Sequence, residues 1–128
     1  MSLTVPPRLL DQAQKGDIDD AAFVECIRTS LPYGWQVVTE LVDRLHHDGG
    51  DFADNQVPPP DEVARGQLLR MMASDAMRTA LENHFGVRLA FQNYHRAAAF
   101  RPGAEQAYLE FVTPRAQILN QKPDLVDC

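Results

Sequence analysis

Two stretches hold most of the side chains able to do chemistry. The first is His46-His47-Asp48, followed by Asp51 and Asp54. Imidazole and carboxylate donors of this kind suit zinc, manganese or iron. The spacing suits a single ion poorly, because adjacent helical residues point about 100° apart and His46 and His47 therefore diverge. The aspartates recur every third residue, whereas an EF-hand loop draws on positions 1, 3 and 5 and closes with a glutamate at 12. A metal set of His46, His47, Asp48 and Asp51, completed in space by His84 or His95, is one expectation. The preferred one is a solvated acidic connection at a helix end, where the imidazoles complement the negative pole of the helix.

The second stretch runs from Arg88 to Arg101 and includes Asn93, Tyr94, His95 and Arg96. On a strand, Tyr94 and Arg96 share one face and His95 takes the other. Arg88, Tyr94, His95 and Arg96 are the candidate ligand-binding set, with arginine as bidentate donor to an anion. No acid lies near enough in sequence to orient His95, so a nucleophile–base–orienter triad cannot be assembled. Ser30 and Ser74 sit in ordinary helical sequence, not in a strained Gly-x-Ser-x-Gly turn. No catalytic residue and no cofactor is assigned.

The elements that must position these groups are mostly helical. Pro6-Pro7 opens a short helix that Gly16 stops. Asp19 or Asp20 caps a second helix with Phe23, Val24, Ile27 and Leu31 on its apolar face. Pro32 starts a third, whose Trp35, Val38, Leu41, Val42 and Leu45 recur at the three-and-four spacing and which Gly49-Gly50 ends. Residues 51–60, with three consecutive prolines, are expected to be loop. Residues 61–86 are expected to form one long helix of about seven turns, with Leu69, Met72, Ala73, Ala76, Met77, Ala80 and Leu81 as its inward stripe. Val87, Leu89 and Phe91 then alternate with polar or small residues, the pattern of a half-buried strand. A second strand follows a turn at Gln92-Asn93, or the first continues past a bulge. Residues 104–114 form a further helix with Ala107, Tyr108, Phe111 and Val112 inward. The expected class is α+β, mostly α: four to five helices with a short two-stranded β element following one long helix.

The 128 residues suit a single globular domain, with an acidic Pro-rich connection at about 46–62 and a loose tail at about 121–128. A chain of this length can bury a core without disulfides. Cys26 is expected to be a buried thiol, and Cys128 ends the chain. No apolar run approaches the ~20 residues of a membrane span, and no secretory signal opens the sequence, so the expected location is the cytoplasm. The net charge of −6 disfavours a general nucleic-acid binder. Its distribution is uneven: residues 1–62 carry 4 Lys/Arg against 12 Asp/Glu, and residues 63–128 carry 8 against 6. The two helices between Asp19 and Leu45 have a helix-turn-helix outline, but the second would present Gln36, Thr39, Glu40 and Asp43 to DNA, where phosphate repels the acids.

Gly49-Gly50-Asp51-Phe52 resembles the Gly-Gly-(Asp/Glu)-Glu-Phe signature of diguanylate cyclases, but one acid precedes Phe52 and a helix precedes the glycines. Over nearly its whole length the chain resembles a small family of actinobacterial hypothetical proteins. The resemblance is carried by RTSLPY, FADNQ, PPPDE, ARGQLLR, HFGVRLAFQN with a following HR, and the ending LNQ with a terminal DC. It implies no activity. The residues lead to a small interaction or regulatory module, homodimeric, in which the acidic segment 48–62 meets an arginine-bearing surface (Arg65, Arg70, Arg88 or Arg96) of the same or a partner chain. A small-molecule site for an anion, between the long helix and the strands, is the alternative, and the metal site a second. No nucleic-acid or membrane partner is expected.

Overall fold

Pro32 fixes the start of the helix on which most of the chain packs. The computed structural model describes residues 3–55, 57–92 and 96–119. Among these the order is α1 (Pro7–Lys15), α2 (Asp20–Ser30), α3 (Pro32–Asp48), β1 (Phe52–Asp54), α4 (Glu62–Ala73), α5 (Asp75–Phe85), β2 (Arg88–Gln92), β3 (Arg96–Phe100), α6 (Glu105–Phe111) and α7 (Pro114–Leu119). The protein is α+β and mostly α, with seven helices and three strands among the described residues instead of the four to five helices and two strands expected.

The first three helices follow their sequence signals. Asp19 accepts the Ala21 N–H at 3.3 Å and caps α2. Helix α3 buries Val37, Val38, Leu41, Val42 and Leu45 and ends at Gly49 in the left-handed region. Its first turn is capped from outside, by the buried Gln67 of α4, whose Oε1 accepts the Tyr33 N–H at 2.6 Å. That N–H is one of the four a helix start leaves unpaired, which explains a glutamine in the core. The two helices run close: a Cβ at Gly34 would lie 3.0 Å from Met71 Cε and 3.4 Å from the Gln67 carbonyl.

The expected long helix is two. It breaks at Ser74, whose hydroxyl accepts the Met77 N–H at 3.2 Å, with Asp75 in the new first turn. A cap of this kind contributes about 1 kcal/mol. Arg78 closes the junction by donating to the Met72 carbonyl at 2.8 Å. The break turns one stripe into two faces: Leu68, Met71 and Met72 are buried on α4 and Met77 and Leu81 on α5, while Leu69, Ala73 and Ala76 face out. The methionines are therefore core.

The other correction is β1, inside the segment read as loop. It pairs antiparallel with β3, Phe52 opposite Phe100 and Asp54 opposite Ala98. Three residues carry no period of their own. They are held by long-range bonds: Asn55 Oδ1 accepts the Ala97 N–H at 2.7 Å, and Arg101 donates to the Gly50 and Leu45 carbonyls. Strands β2 and β3 form an antiparallel pair, Arg88 opposite Phe100 and Gln92 opposite Arg96, so the sheet order is β1-β3-β2. The turn at Gln92-Asn93 lies outside the described residues beyond Gln92, which is still strand; the tail 121–128 also lies outside them.

Alternation gives the sheet two covered faces. Leu89, Ala97 and Ala99 join the main core with Leu41, Leu45, Leu68 and Met71. Ala90, Ala98 and Phe100 form a second cluster with Phe111 of α6. The alanines of β3 let helices approach both faces of the central strand.

Candidate functional site

Arg88, Gln92 and Arg96 stand on the α6 face of the sheet, at alternate positions of β2 and β3. Arg88 pairs with Glu105 at 2.9 Å, and its guanidinium carbon lies 3.4 Å from the centroid of the Tyr108 ring, a cation–π contact. Arg96 pairs with Asp54 of β1, and both side chains are largely buried. The acidic segment thus meets an arginine within the same chain. Tyr94 and His95 lie outside the described residues. Arg88 and Arg96 are at opposite ends of the hairpin, each with an intramolecular carboxylate. The cavity that does lie between the α4–α5 junction, β2 and α6 is about 320 Å³ and contains Arg78, Leu89 and Tyr108 instead; Arg78 is itself bonded to Asp75 and to the Met72 carbonyl.

His46, His47 and Asp48 form the exposed last turn of α3, and Asp51 is exposed beyond it. Among the described residues no three His, Cys, Asp or Glu side chains gather as a metal set. His84, weighed as a ligand completing that set, instead packs against Trp35 in a tilted contact and Phe85 edge-on, with ring centroids 5.9 and 4.7 Å away.

A further concavity was not signalled by any motif. It is a cleft of about 650 Å³ between the outer face of α3 and the residues Asn55, Val57, Pro58 and Pro60. Val37, Leu41 and Tyr33 supply its apolar floor, and Val57, Pro58 and Pro60 its far wall. Glu40 and Asp43 stand exposed on the helix rim. Arg44, at one end, turns its guanidinium onto the Asp54 carbonyl. At the other end burial, and then the Glu40 and Asp61 carboxylates, hold the Tyr33 phenol above its ordinary pKa. Tyr33 therefore stays a neutral donor at physiological pH. The only sequence signal for this cleft was the proline run, whose stiffness holds a wall away from α3. Helix α3 packs against α2, α4, β1 and β3, and its exposed face carries Glu40 and Asp43, acids that phosphate would repel.

Compared with known proteins, the chain matches no curated protein and no solved structure. It does match one family model, described as NucS shadow ORF, over residues 1–128. A match along the full sequence is membership, and the chain belongs to the NucS shadow ORF family.

Proposed function

We propose that this reading frame encodes a small cytoplasmic protein-interaction module, homodimeric, which offers the α3 cleft to a lysine- or arginine-bearing segment of a partner protein. The observation that carries this is the cleft itself. It joins an apolar floor and a rigid proline wall to a rim on which Glu40 and Asp43 outnumber Arg44. Apolar area supplies affinity, and the carboxylates select a basic segment and speed its encounter.

The family description names a shadow ORF of NucS, and a frame that overlaps another gene need not encode a chain that folds. What supports a folded product is agreement between levels. Helices α2, α4 and α5 each start on a side-chain cap, from Asp19, Asp61 and Ser74. Helices α1, α3 and α5 each end on a left-handed glycine. Local choices that agree with the global packing are the mark of a foldable sequence.

The family's short name begins with KH. In KH modules a Gly-X-X-Gly loop clamps the nucleic-acid backbone. This sequence contains no Gly-X-X-Gly, and the α3 cleft is acidic, so a protein partner is preferred. An anionic ligand at Arg88, Tyr94, His95 and Arg96 would have to compete with Glu105 and Asp54 for both guanidiniums. A metal at His46, His47, Asp48 and Asp51 would have to draw together exposed side chains.

The test has two readouts. Targeted mass spectrometry of cells should detect the tryptic peptides spanning residues 71–78 and 79–88. Purified protein should bind a fluorescent peptide of alternating lysine and leucine, more weakly as salt rises, and reject the glutamate counterpart. The double variant Glu40→Lys/Asp43→Lys should lose at least about ten-fold in affinity. Equal binding by the double variant, or none by the native protein, removes this reading.

A further inference from the structure

The outer face of α4 has no partner in the fold. Glu62, Val63, Leu69, Arg70 and Ala73 are exposed there, Val63 at 60% and Leu69 at 43%. Gly66 stands among them, and a Cβ built on it would meet nothing within 4 Å. Two large aliphatic side chains exposed on either side of a glycine describe a helix face able to take another helix closely.

The charges identify which helix. Glu62, Gly66 and Arg70 are spaced by four residues and form one ridge of α4, with a carboxylate one turn before the glycine and a guanidinium one turn after it. Glu62 is 89% exposed in its side chain, and Arg65 approaches it at 3.4 Å. When four-residue ridges of two helices align, the axes cross at about −50°. With a two-fold axis at Gly66, the ridge of one copy runs antiparallel to that of the other. Glu62 of each copy then lies beside Arg70 of its mate, and Val63 and Leu69 are covered. Such a surface is self-complementary, as an isologous interface requires.

The sheet edges are poorer candidates for joining two copies. On β2 the Leu89 N–H is taken by the Glu82 carboxylate at 2.8 Å. On β1 the Asp54 carbonyl is taken by Arg44. Side chains that occupy edge groups block strand pairing.

We infer that the exposed face of α4 is the seam of the homodimer, with a second copy of this chain packed antiparallel across Gly66 and two Glu62–Arg70 pairs closing it. This rests on the homodimer in the reading above and is independent of the α3 cleft. A standard interface buries about 800 Å² per partner, and a seam limited to one helix face of each copy predicts a weaker dimer than that.

Sedimentation equilibrium over a micromolar range tests it. The native protein should dimerise. Glu62→Arg alone and Arg70→Glu alone set like charges opposite one another and should weaken dimerisation at least about ten-fold. The double swap Glu62→Arg/Arg70→Glu recreates both pairs and should restore it. Gly66→Leu fills the notch, and because leucine is the better helix former its thermal midpoint should hold or rise while dimerisation is lost. A native monomer would overturn both the seam and the homodimer. A dimer that tolerates the single reversals, or a double swap that stays monomeric, would overturn the seam and leave the homodimer standing. Peptide binding at Glu40 and Asp43 is read separately from all of these.

Discussion

Phe100→Ala is expected to lower the unfolding free energy by about 4 kcal/mol, the range for removing a buried phenylalanine. Phe100 is fully buried on the central strand. Its ring stacks on Phe52 at 5.4 Å and meets Tyr108 and Phe111 edge-on at 5.5 Å each. Aromatic pairs in these geometries add about 0.5–1.5 kcal/mol each beyond the area they bury. Its cross-strand partners are Phe52 and Arg88, and the next residues on this face, Ala90 and Ala98, are too small to fill the void. A loss of this size is a large part of the 5–15 kcal/mol typical of a domain. The comparison is Phe52→Ala, which removes a ring that is 45% exposed and should cost about 1 kcal/mol, in proportion to its buried area. Urea unfolding followed by circular dichroism measures both. If the loss loosens only α6, its far-ultraviolet signal should melt first and the transition should broaden. Equal costs for the two substitutions would mean that the second cluster does not anchor α6 as the geometry implies.

What was legible in the sequence was local. Pro6-Pro7, Asp19, Pro32, Gly16, Gly49 and Gly86 mark helix ends by chemistry that acts within a few residues, and each stands where it was read. The alternation from Val87 to Phe91 marked β2 for the same reason. The break at Ser74 was written in the sequence as Ser-Asp before an apolar run. The apolar stripe continues through it in phase and masks that signal. Strand β1 had no local signal at all: Phe52-Ala53-Asp54 is extended because Arg96, Ala97 and Arg101 bond to it or to the residues flanking it from more than 40 residues away. The α3 cleft was hidden for a similar reason, since it exists only where a proline wall and a helix face come together. Of the side chains named for ligand binding, the sequence placed Arg96 correctly on a strand but could not show that Asp54 would claim it.

That claim leads to the second large effect. Asp54→Ala is expected to cost about 3 kcal/mol, because removing one member of a buried ion pair leaves the other charge without compensation. The side chains of Arg96 and Asp54 are 12% and 15% exposed, so water can do little to solvate the guanidinium left behind. Among the described residues the Nε of Arg96 is buried without a hydrogen-bond partner, and so is Oε1 of Gln92 opposite it. An incompletely satisfied pair of this kind adds specificity more than stability. Its geometry draws β1 onto the sheet, whereas its desolvation opposes folding. The double variant Asp54→Leu/Arg96→Met should therefore recover to within about 1 kcal/mol of the native protein, since apolar replacement of a buried pair is often neutral or stabilising. Arg28 and Glu25, paired on the exposed face of α2 with side chains 47% and 58% exposed, provide the contrast. Removing Glu25 should barely move the unfolding midpoint and any effect should vanish in high salt, while the Asp54 effect should persist. A double-mutant cycle by urea unfolding at low and high salt decides it. If the double variant is as unstable as Asp54→Ala, the pair is a net source of stability and β1 needs the charge itself. If Asp54→Ala costs no more than the Glu25 substitution, water already reaches Arg96 and β1 is held by its pairing with β3 and by the Asn55 and Arg101 side chains.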